Sequence, residues 1–582
     1  MKWDNKLVKF FDRVKPWQYF LIFLVIGFAV FFSGLNGGFQ GDDTDQIIKN
    51  EAVHSISNVG QFFRSSTFWN GETLVGDFYR PTMTTTYSLI YTFFGANPTA
   101  FHVFQLILYI SCAFILFLFL RSFFKPAIAL FLSLIFLIHP INSQIVYSIP
   151  SMQEPLMFIF GISALYILSK SQSTKSLALA TFLLFMSLMS KETAIVFVCA
   201  AAVYEFLFHK KYFKKFIKII ILPVILYILI RISVVGFRNI AQSAPVDFLS
   251  FGERMIMVPS MIMFYVTKFL YPRDLATSYY WTHKNLSVDG FWIPLAFVLL
   301  IIALIVWIGF AIYKKAGKKT LFTYIFFATW LALGVAPHLQ IIALDMTACE
   351  TWFVSMIVGA VGMIAVAVKT FLPKIRPAYL LAAGLLILIP LGIRSNLRGY
   401  DYHSQETLSL RDINVTEKNY LAMNNLAKYY INTNRPAKAE WYVRKSIEYF
   451  PAVSNYNNLG VVKQKLNDFQ AAKEAYMQAL DLVPLRVTYE NVAITNFVVG
   501  NSKDNIAFLK KGLKVYPTNG RLWAYLAIEY AAAGNAADAK VAVVNAYNNG
   551  VVQPELYNSI VHSSPLDIPM PDTNKVIHIR WD

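Results

Sequence analysis

The sequence predicts an all-α protein in two parts, a polytopic membrane helical bundle of about 11 spans followed by a C-terminal α-solenoid. Three observations carry that reading. Of 582 residues, 56% are hydrophobic, 16% aromatic and only 15% charged, with a mean hydropathy of +0.47, which is the composition of an integral membrane protein. Apolar runs long enough to cross a hydrocarbon core of about 30 Å, roughly 17–25 residues each, recur between residues 17 and 394 and then stop. Past them, prolines stand at 451, 484 and 517, a period of 33.

The spans read as 17–35, 101–120, 126–144, 150–168, 175–189, 193–208, 214–235, 290–313, 320–340, 351–370 and 377–395. An odd number puts the two termini on opposite sides. Lys and Arg accumulate in cytoplasmic loops, and here they crowd the N-terminus (Lys2, Lys6, Lys9, Arg13, Lys15) and every second loop: Arg121/Lys125, Lys170/Lys175, Lys210/Lys211/Lys214/Lys215, Lys314/Lys315/Lys318/Lys319 and Lys369/Lys374/Arg376. The N-terminus is therefore expected in the cytoplasm. The other loops and everything after Arg394 are expected to face outward: the exterior, the periplasm or a lumen, across a plasma membrane if the source is prokaryotic. Segments 82–94 and 255–270 fit badly as spans, because the first is short and the second would invert every later basic loop. Both are expected to lie on the outer surface or re-enter it.

The first span is too long for a signal-peptide core and no small-residue cleavage pattern follows it, so it is expected to stay as an anchor. Cys112, Cys199 and Cys349 imply no disulfide framework. Of the formal charge of +18, residues 417–582 contribute little, with 18 Lys/Arg against 14 Asp/Glu. The excess sits on the membrane part, where it follows the positive-inside bias and attracts anionic membrane lipids. It is not a nucleic-acid footprint, and no nucleic-acid partner is expected.

The period of 33 is that of tetratricopeptide (TPR) repeats. Tyr456, Leu459, Gly460, Ala472, Tyr476, Ala479 and Pro484 make the clearest repeat, and four are expected between Tyr420 and Gly550. A lone helix pair cannot bury both its faces, so such repeats stack around a groove suited to peptides. The expected domains are 1–400 in the membrane, with a first outer loop at 36–100 and an outer loop carrying a juxtamembrane helix at 236–289; 417–552 as the TPR domain, with Asn-rich turns such as Asn457-Asn458 and Asn548-Asn549; and 553–582 as a non-repeat tail.

Chemistry is expected in the membrane half. Gly41-Asp42-Asp43-Thr44-Asp45 follows the first span within a few residues, and ionisable groups beside hydrocarbon either reach water or hold a partner. The same loop continues through Phe68-Trp69, Tyr79-Arg80-Pro81 and Gly95-Ala96-Asn97-Pro98-Thr99-Ala100-Phe101-His102. In this order the motifs resemble those of the GT-C glycosyltransferases, specifically the transmembrane-and-TPR O-mannosyltransferases. The resemblance covers nearly the whole chain and extends to His139-Pro140-Ile141, Ser190-Lys191-Glu192, Arg231 and the stretch from Met346 to Phe353, with Glu350 in the family's acidic position. The chain departs from the family at Asn142, at Ser151-Met152-Gln153-Glu154 and at Thr351.

The resemblance implies inverting transfer of a sugar, mannose in the family's name, from a polyprenyl-phosphate donor to a protein Ser/Thr acceptor on the outer or lumenal face, with the TPR domain engaging acceptor or partner. A carboxylate within reach of the acceptor hydroxyl takes its proton, and either Asp42 or Asp43 fills that role. Arg80 and Arg231, with Lys191 and His139 behind them, are the cations expected at the leaving phosphate. Tyr79, His102, Glu154, Glu192 and Glu350 complete the expected donor and substrate contacts. A divalent cation (Mg or Mn) stays open, with Asp42, Asp43 and Glu154 as hard oxygen ligands. Two other functions use the same features: a lipid-linked glycan polymerase or ligase, and a non-catalytic membrane TPR scaffold.

Overall fold

The computed structural model describes residues 11, 13–68, 78–236, 244–373, 376–500, 502–569 and 576–580. Lys2, Lys6, Lys9, Trp69 and Lys374 lie outside the described residues. The chain divides into two compact units, Met1–Thr416 and Glu417–Asp582.

The first unit is built from helices α1 (Pro16–Phe31), α2 (Pro81–Phe94), α3 (Pro98–Leu120), α4 (Pro126–Ile138), α5 (Gln153–Lys170), α6 (Thr174–Ser190), α7 (Ile195–Phe208), α8 (Lys210–Val235), α9 (Phe251–Leu270), α10 (Ile293–Val335), α11 (Met356–Phe371), α12 (Pro377–Asp401) and α13 (Gln405–Val415). Proline at the first turn opens several of them, where its missing N–H costs nothing. This is a multi-pass membrane protein. Among the described residues seven segments are long and apolar enough to cross a bilayer, and an eighth if α4 and Pro140–Tyr147, bent by 50° at His139, form one broken span.

The segments counted this way are fewer than the eleven expected spans, for two physical reasons. Residues 290–313 and 320–340 are fused into α10, whose 43 residues turn back at Gly317, where φ is +77° and a Cβ would be strained. Tyr324 on the second arm donates 3.0 Å to the Ile305 carbonyl on the first, so the arms lie side by side. The other two expected spans, α6 and α7, have 17 and 14 residues, about 26 and 21 Å at 1.5 Å per residue.

Small residues let the bundle close tightly. An added Cβ at Gly359 would stand 2.4 Å from the Leu331 backbone nitrogen, and one at Gly362 2.2 Å from the Phe327 ring, so α11 presses backbone to backbone on the second arm of α10. Beside this contact Phe119, Phe123, Tyr204, Phe326 and Trp330 form an aromatic cluster. The first unit runs past the expected boundary at 400, because Asp412 on α13 accepts from the backbone N–H (3.0 Å) and hydroxyl of Thr277.

The second unit contains four antiparallel helix pairs: α14 (Tyr420–Asn432) with α15 (Pro436–Tyr449), α16 (Val453–Lys465) with α17 (Phe469–Leu482), α18 (Arg486–Val499) with α19 (Ser502–Val515), and α20 (Gly520–Ala532) with α21 (Ala536–Asn548). Asn434, Asn467 and Gly534 take positive φ of 54°, 61° and 74° at the same turn of three repeats, closing the first helix of each pair. Gly460 leaves room for the Tyr476 ring, which an added Cβ would approach to 2.3 Å. Asn457-Asn458 is not a turn but lies inside α16, where Asn458 donates 2.8 Å to Asn424 of the preceding repeat and Asn457 donates 2.9 Å to Thr488 of the next. After the repeats come α22 (Pro554–His562) and a short hairpin, β1 (Leu566–Pro569) antiparallel to β2 (Val576–Ile579). Ile577 and Ile579 are buried with the last repeat, so the tail extends its core.

Candidate active site

The loop after α1 turns at Gly41 (φ +56°) into a single wide turn, Thr44–Ile48. Asp43 stands at its head and accepts from the Gln40 backbone N–H at 2.8 Å. Only 2% of Asp43 is exposed. Burial, reinforced by the neighbouring Asp42 charge, pushes its carboxyl well above the usual range against the pull of the Gln40 N–H. Its Oδ1 is buried without a hydrogen-bond partner. Asp42 is exposed. The two aspartates therefore differ in kind: one is open to a substrate and the other is sealed. Asp45 pairs with Lys49 at 3.4 Å in solvent. The loop is pinned by Gln40, whose amide donates 2.6 Å to the Tyr402 carbonyl, and His102 is buried.

Helix α2 joins this loop to a cluster of charges. Tyr87 is buried, donates 2.9 Å to the Ile149 carbonyl and has its phenol proton held tighter by burial and then by Asp43 and Asp42, with Arg80 opposing. Arg80 caps the same helix two turns earlier. Its guanidinium grips Glu192 with Nε 3.3 Å and Nη2 2.9 Å from the two carboxylate oxygens and lies 4.2 Å from the centre of the Phe78 ring. Burial would raise the Glu192 carboxyl, but the charge and hydrogen bonds of Arg80, helped by Lys191, hold it down at about 2.

Lys191 and Glu192 do not pair with each other. Lys191 turns inward to Glu154, with both side chains almost fully buried. Arg80 also lies in the field of Glu154 and of Asp345, from the loop between α10 and α11. Tyr227 on α8 lies in the field of Glu192, Arg231, Arg80 and Tyr79, and its hydroxyl is buried without a hydrogen-bond partner. Arg231, one turn further on, is half-buried and has no carboxylate partner among the described residues. The Tyr79 hydroxyl donates 2.9 Å to the Phe63 carbonyl, and burial pushes it up to about 12.

Two expected site residues have other duties. His139 accepts from the Ile141 N–H at 3.2 Å through Nδ1, meets the Phe269 carbonyl at 3.0 Å through Nε2 and stacks on the Phe269 ring. Both ring nitrogens are occupied in tying the break after α4 to the end of α9. Glu350 is fully buried between the Tyr279 hydroxyl (2.9 Å) and Arg398 (3.5 Å), away from the grip of Arg80 on Glu192. Among the described residues no three His, Cys, Asp or Glu side chains come together to hold a metal ion, and Glu154 is committed to Lys191. Tyr87, Tyr227 and Asp345 were missed by sequence reasoning. Tyr87 had a signal, because seven residues from Arg80 is two helical turns on the same face.

Comparison with known proteins places this architecture. The tetratricopeptide-repeat family model matches residues 453–484. Human "Protein O-mannosyl-transferase TMTC3" is 22% identical over 534 residues, 80% of this chain and 55% of that protein. Over most of its length the chain is thus similar to a protein named as an O-mannosyltransferase. The mouse protein of the same name is 21% identical over 78% of the chain and 54% of its own length. The nematode Caenorhabditis elegans "Protein O-mannosyl-transferase F38B6.6" is 27% identical over 38% of the chain and 32% of its own length. The chain thus spans about half the length of the mammalian relatives it matches. Among solved structures, "Crystal structure of APC/C hetero-tetramer Cut9-Hcn1" aligns over 83% of this chain and 92% of that one at 13% identity, with a TM-score of 0.25, too loose to bear on fold or function.

Proposed function

We propose that this chain is itself a glycosyltransferase, moving a sugar, mannose as its relatives' names suggest, from a polyprenyl-phosphate carrier to a Ser or Thr hydroxyl of a protein on the outer or lumenal face. The observation that carries the reading is the unlike pair of aspartates, exposed Asp42 beside sealed Asp43, on a loop that α2 links through Tyr87 to Arg80. Asp42 is the base, because a base must be within reach of the acceptor hydroxyl. Asp43, holding its proton more tightly, relieves the repulsion that would otherwise weigh on a charged Asp42.

The acceptor oxygen bonds to C1 of the sugar from the face opposite the carrier, its proton passes to Asp42, and the C1–O bond to phosphate breaks with the electron pair leaving on the phosphate. The sugar inverts. Arg231, a cation without a carboxylate partner among the described residues, meets the developing phosphate charge. Arg80 is already engaged by Glu192 and orders the site. A divalent cation would draw on Asp42 and carrier oxygens. The N-terminus is cytoplasmic and the TPR unit outside, as the basic loops require, and its groove presents the acceptor.

Membranes carrying the chain, supplied with radiolabelled polyprenyl-phosphate mannose and a Ser/Thr-rich acceptor protein, test the reading. Alkali-labile label on the protein is expected. Label appearing instead on a lipid or glycan, undiminished by deletion of residues 417–582, would favour the ligase reading and overturn this one.

A further inference from the structure

A second cationic site lies at the other end of the first unit's polar network. Arg394, on α12, donates through Nε at 3.1 Å and Nη2 at 2.8 Å to the backbone carbonyl of Arg273. Arg411, on α13, donates to the same oxygen at 3.3 Å. Two guanidinium groups sharing one neutral acceptor repel each other, and among the described residues the nearby carboxylates reach Arg411 but not Arg394. Asp401 and Glu350 serve Arg398, at 3.0 and 3.5 Å. Asp412 serves Thr277. Asp274 meets Arg411 at 3.5 Å, while Lys268 joins the group through the Asp274 carbonyl. Among the described residues no carboxylate pairs with Arg394. The Arg411 Nε is buried without a hydrogen-bond partner, 3.9 Å from Asp401. Positive charge and unused N–H donors thus converge where an anion would satisfy both.

The rim says what carries the anion. Ile393 and Leu397, on either side of Arg394 along α12, are 57% and 53% exposed, and Leu270 and Tyr271 at the end of α9 are 71% and 60% exposed. Exposed apolar side chains thus flank Arg394 along α12 and immediately precede, in sequence, the Arg273 carbonyl that both guanidinium groups reach.

We propose that Arg394 and Arg411 bind the phosphate of a lipid headgroup, whose chains lie against Ile393, Leu397 and Leu270. This site is distinct from Arg80 and Arg231 and does not depend on the enzymatic reading. Its role is to hold an anionic lipid at the junction of α9, α12 and α13.

The test uses the full chain in nanodiscs of phosphatidylcholine with and without phosphatidylglycerol, and in detergent with inorganic phosphate, reading the thermal unfolding midpoint. Phosphatidylglycerol is expected to raise the midpoint of the wild type. Arg394→Gln, which can still donate to the Arg273 carbonyl, is expected to weaken the apparent lipid affinity about tenfold or more, and Arg394→Lys to restore part of it. Inorganic phosphate is expected to act weakly and to lose its effect in the same variant. Equal responses of wild type and Arg394→Gln to phosphatidylglycerol would overturn the proposal. So would a response to inorganic phosphate with none to phosphatidylglycerol, which would assign the site to a soluble anion.

Discussion

The Arg80 guanidinium holds both carboxylate oxygens of Glu192, at 2.9 and 3.3 Å, across 112 residues of sequence. This contact fixes the start of α2 against the link between α6 and α7, and with it the distance from the aspartate loop to the cations. Because the Glu192 carboxyl is held at about 2 instead of its ordinary 4.5, the contact contributes stability that is complete above about pH 4.5 and is lost as pH falls towards 2. Glu192 is a third exposed, so water screens the pair and at most about 1 kcal/mol is expected. Unfolding midpoints of wild type and Glu192→Gln should converge as pH falls through that window; a gap independent of pH would contradict the ion pair.

Asp43 has the opposite sign. A carboxyl whose pKa is raised by burial favours the folded state only while protonated, so its contribution is complete at low pH and is lost as pH rises through its folded pKa. Asp43→Asn keeps an oxygen for the Gln40 N–H and removes the buried charge. It should raise stability at neutral pH by roughly 1 kcal/mol, with the gain shrinking as pH falls towards about 4, the ordinary range of an Asp carboxyl. A drop in the midpoint at pH 7 would show that Asp43 is paired in the membrane.

Lys191 and Glu154 form a buried pair, and removing one partner strands the other charge. Lys191→Met and Glu154→Met should each cost about 3–5 kcal/mol, while the two together should cost much less than their sum. A double-mutant cycle on unfolding midpoints reads this coupling. Additive losses would mean that the two groups act separately.

Gly317 turns α10 back on itself at φ +77°. Gly317→Val places a branched side chain where L-residues are strained and should destabilise by at least about 1 kcal/mol. Cysteine accessibility on either side of the turn should report both arms crossing; labelling consistent with a single long helix would contradict the fold.

The two-part architecture was legible because it rests on periodic signals: apolar runs matched to a bilayer, and a 33-residue spacing matched to a helix pair. Span ends such as those of α3 and α8 fell within a few residues for the same reason. The expected spans at α6 and α7 are helices of only 17 and 14 residues, while the two expected on either side of the Lys314–Lys319 loop are the arms of α10, turned at Gly317. Local patterns misled at Asn457-Asn458, since Asn favours turns by propensity but packs inside α16 by hydrogen bonding to neighbouring repeats. At the site, motif order named Asp42, Asp43, Arg80 and Glu192. It did not carry their pairings, and an adjacent Lys191-Glu192 suggests one ion pair where tertiary packing makes two. Glu350 and Arg398 meet across 48 residues, a relation no spacing rule contains.

The central claim is that Asp42 takes the acceptor proton while Asp43 keeps its own. The initial rate of sugar transfer from polyprenyl-phosphate mannose to an acceptor protein, measured at saturating donor for wild type, Asp42→Asn and Asp43→Asn, tests it most directly. The account predicts a loss of about 10²–10⁴-fold for Asp42→Asn and a smaller loss for Asp43→Asn in a protein at least as stable as wild type. Wild-type rates in Asp42→Asn, or the large loss falling on Asp43→Asn alone, would contradict it.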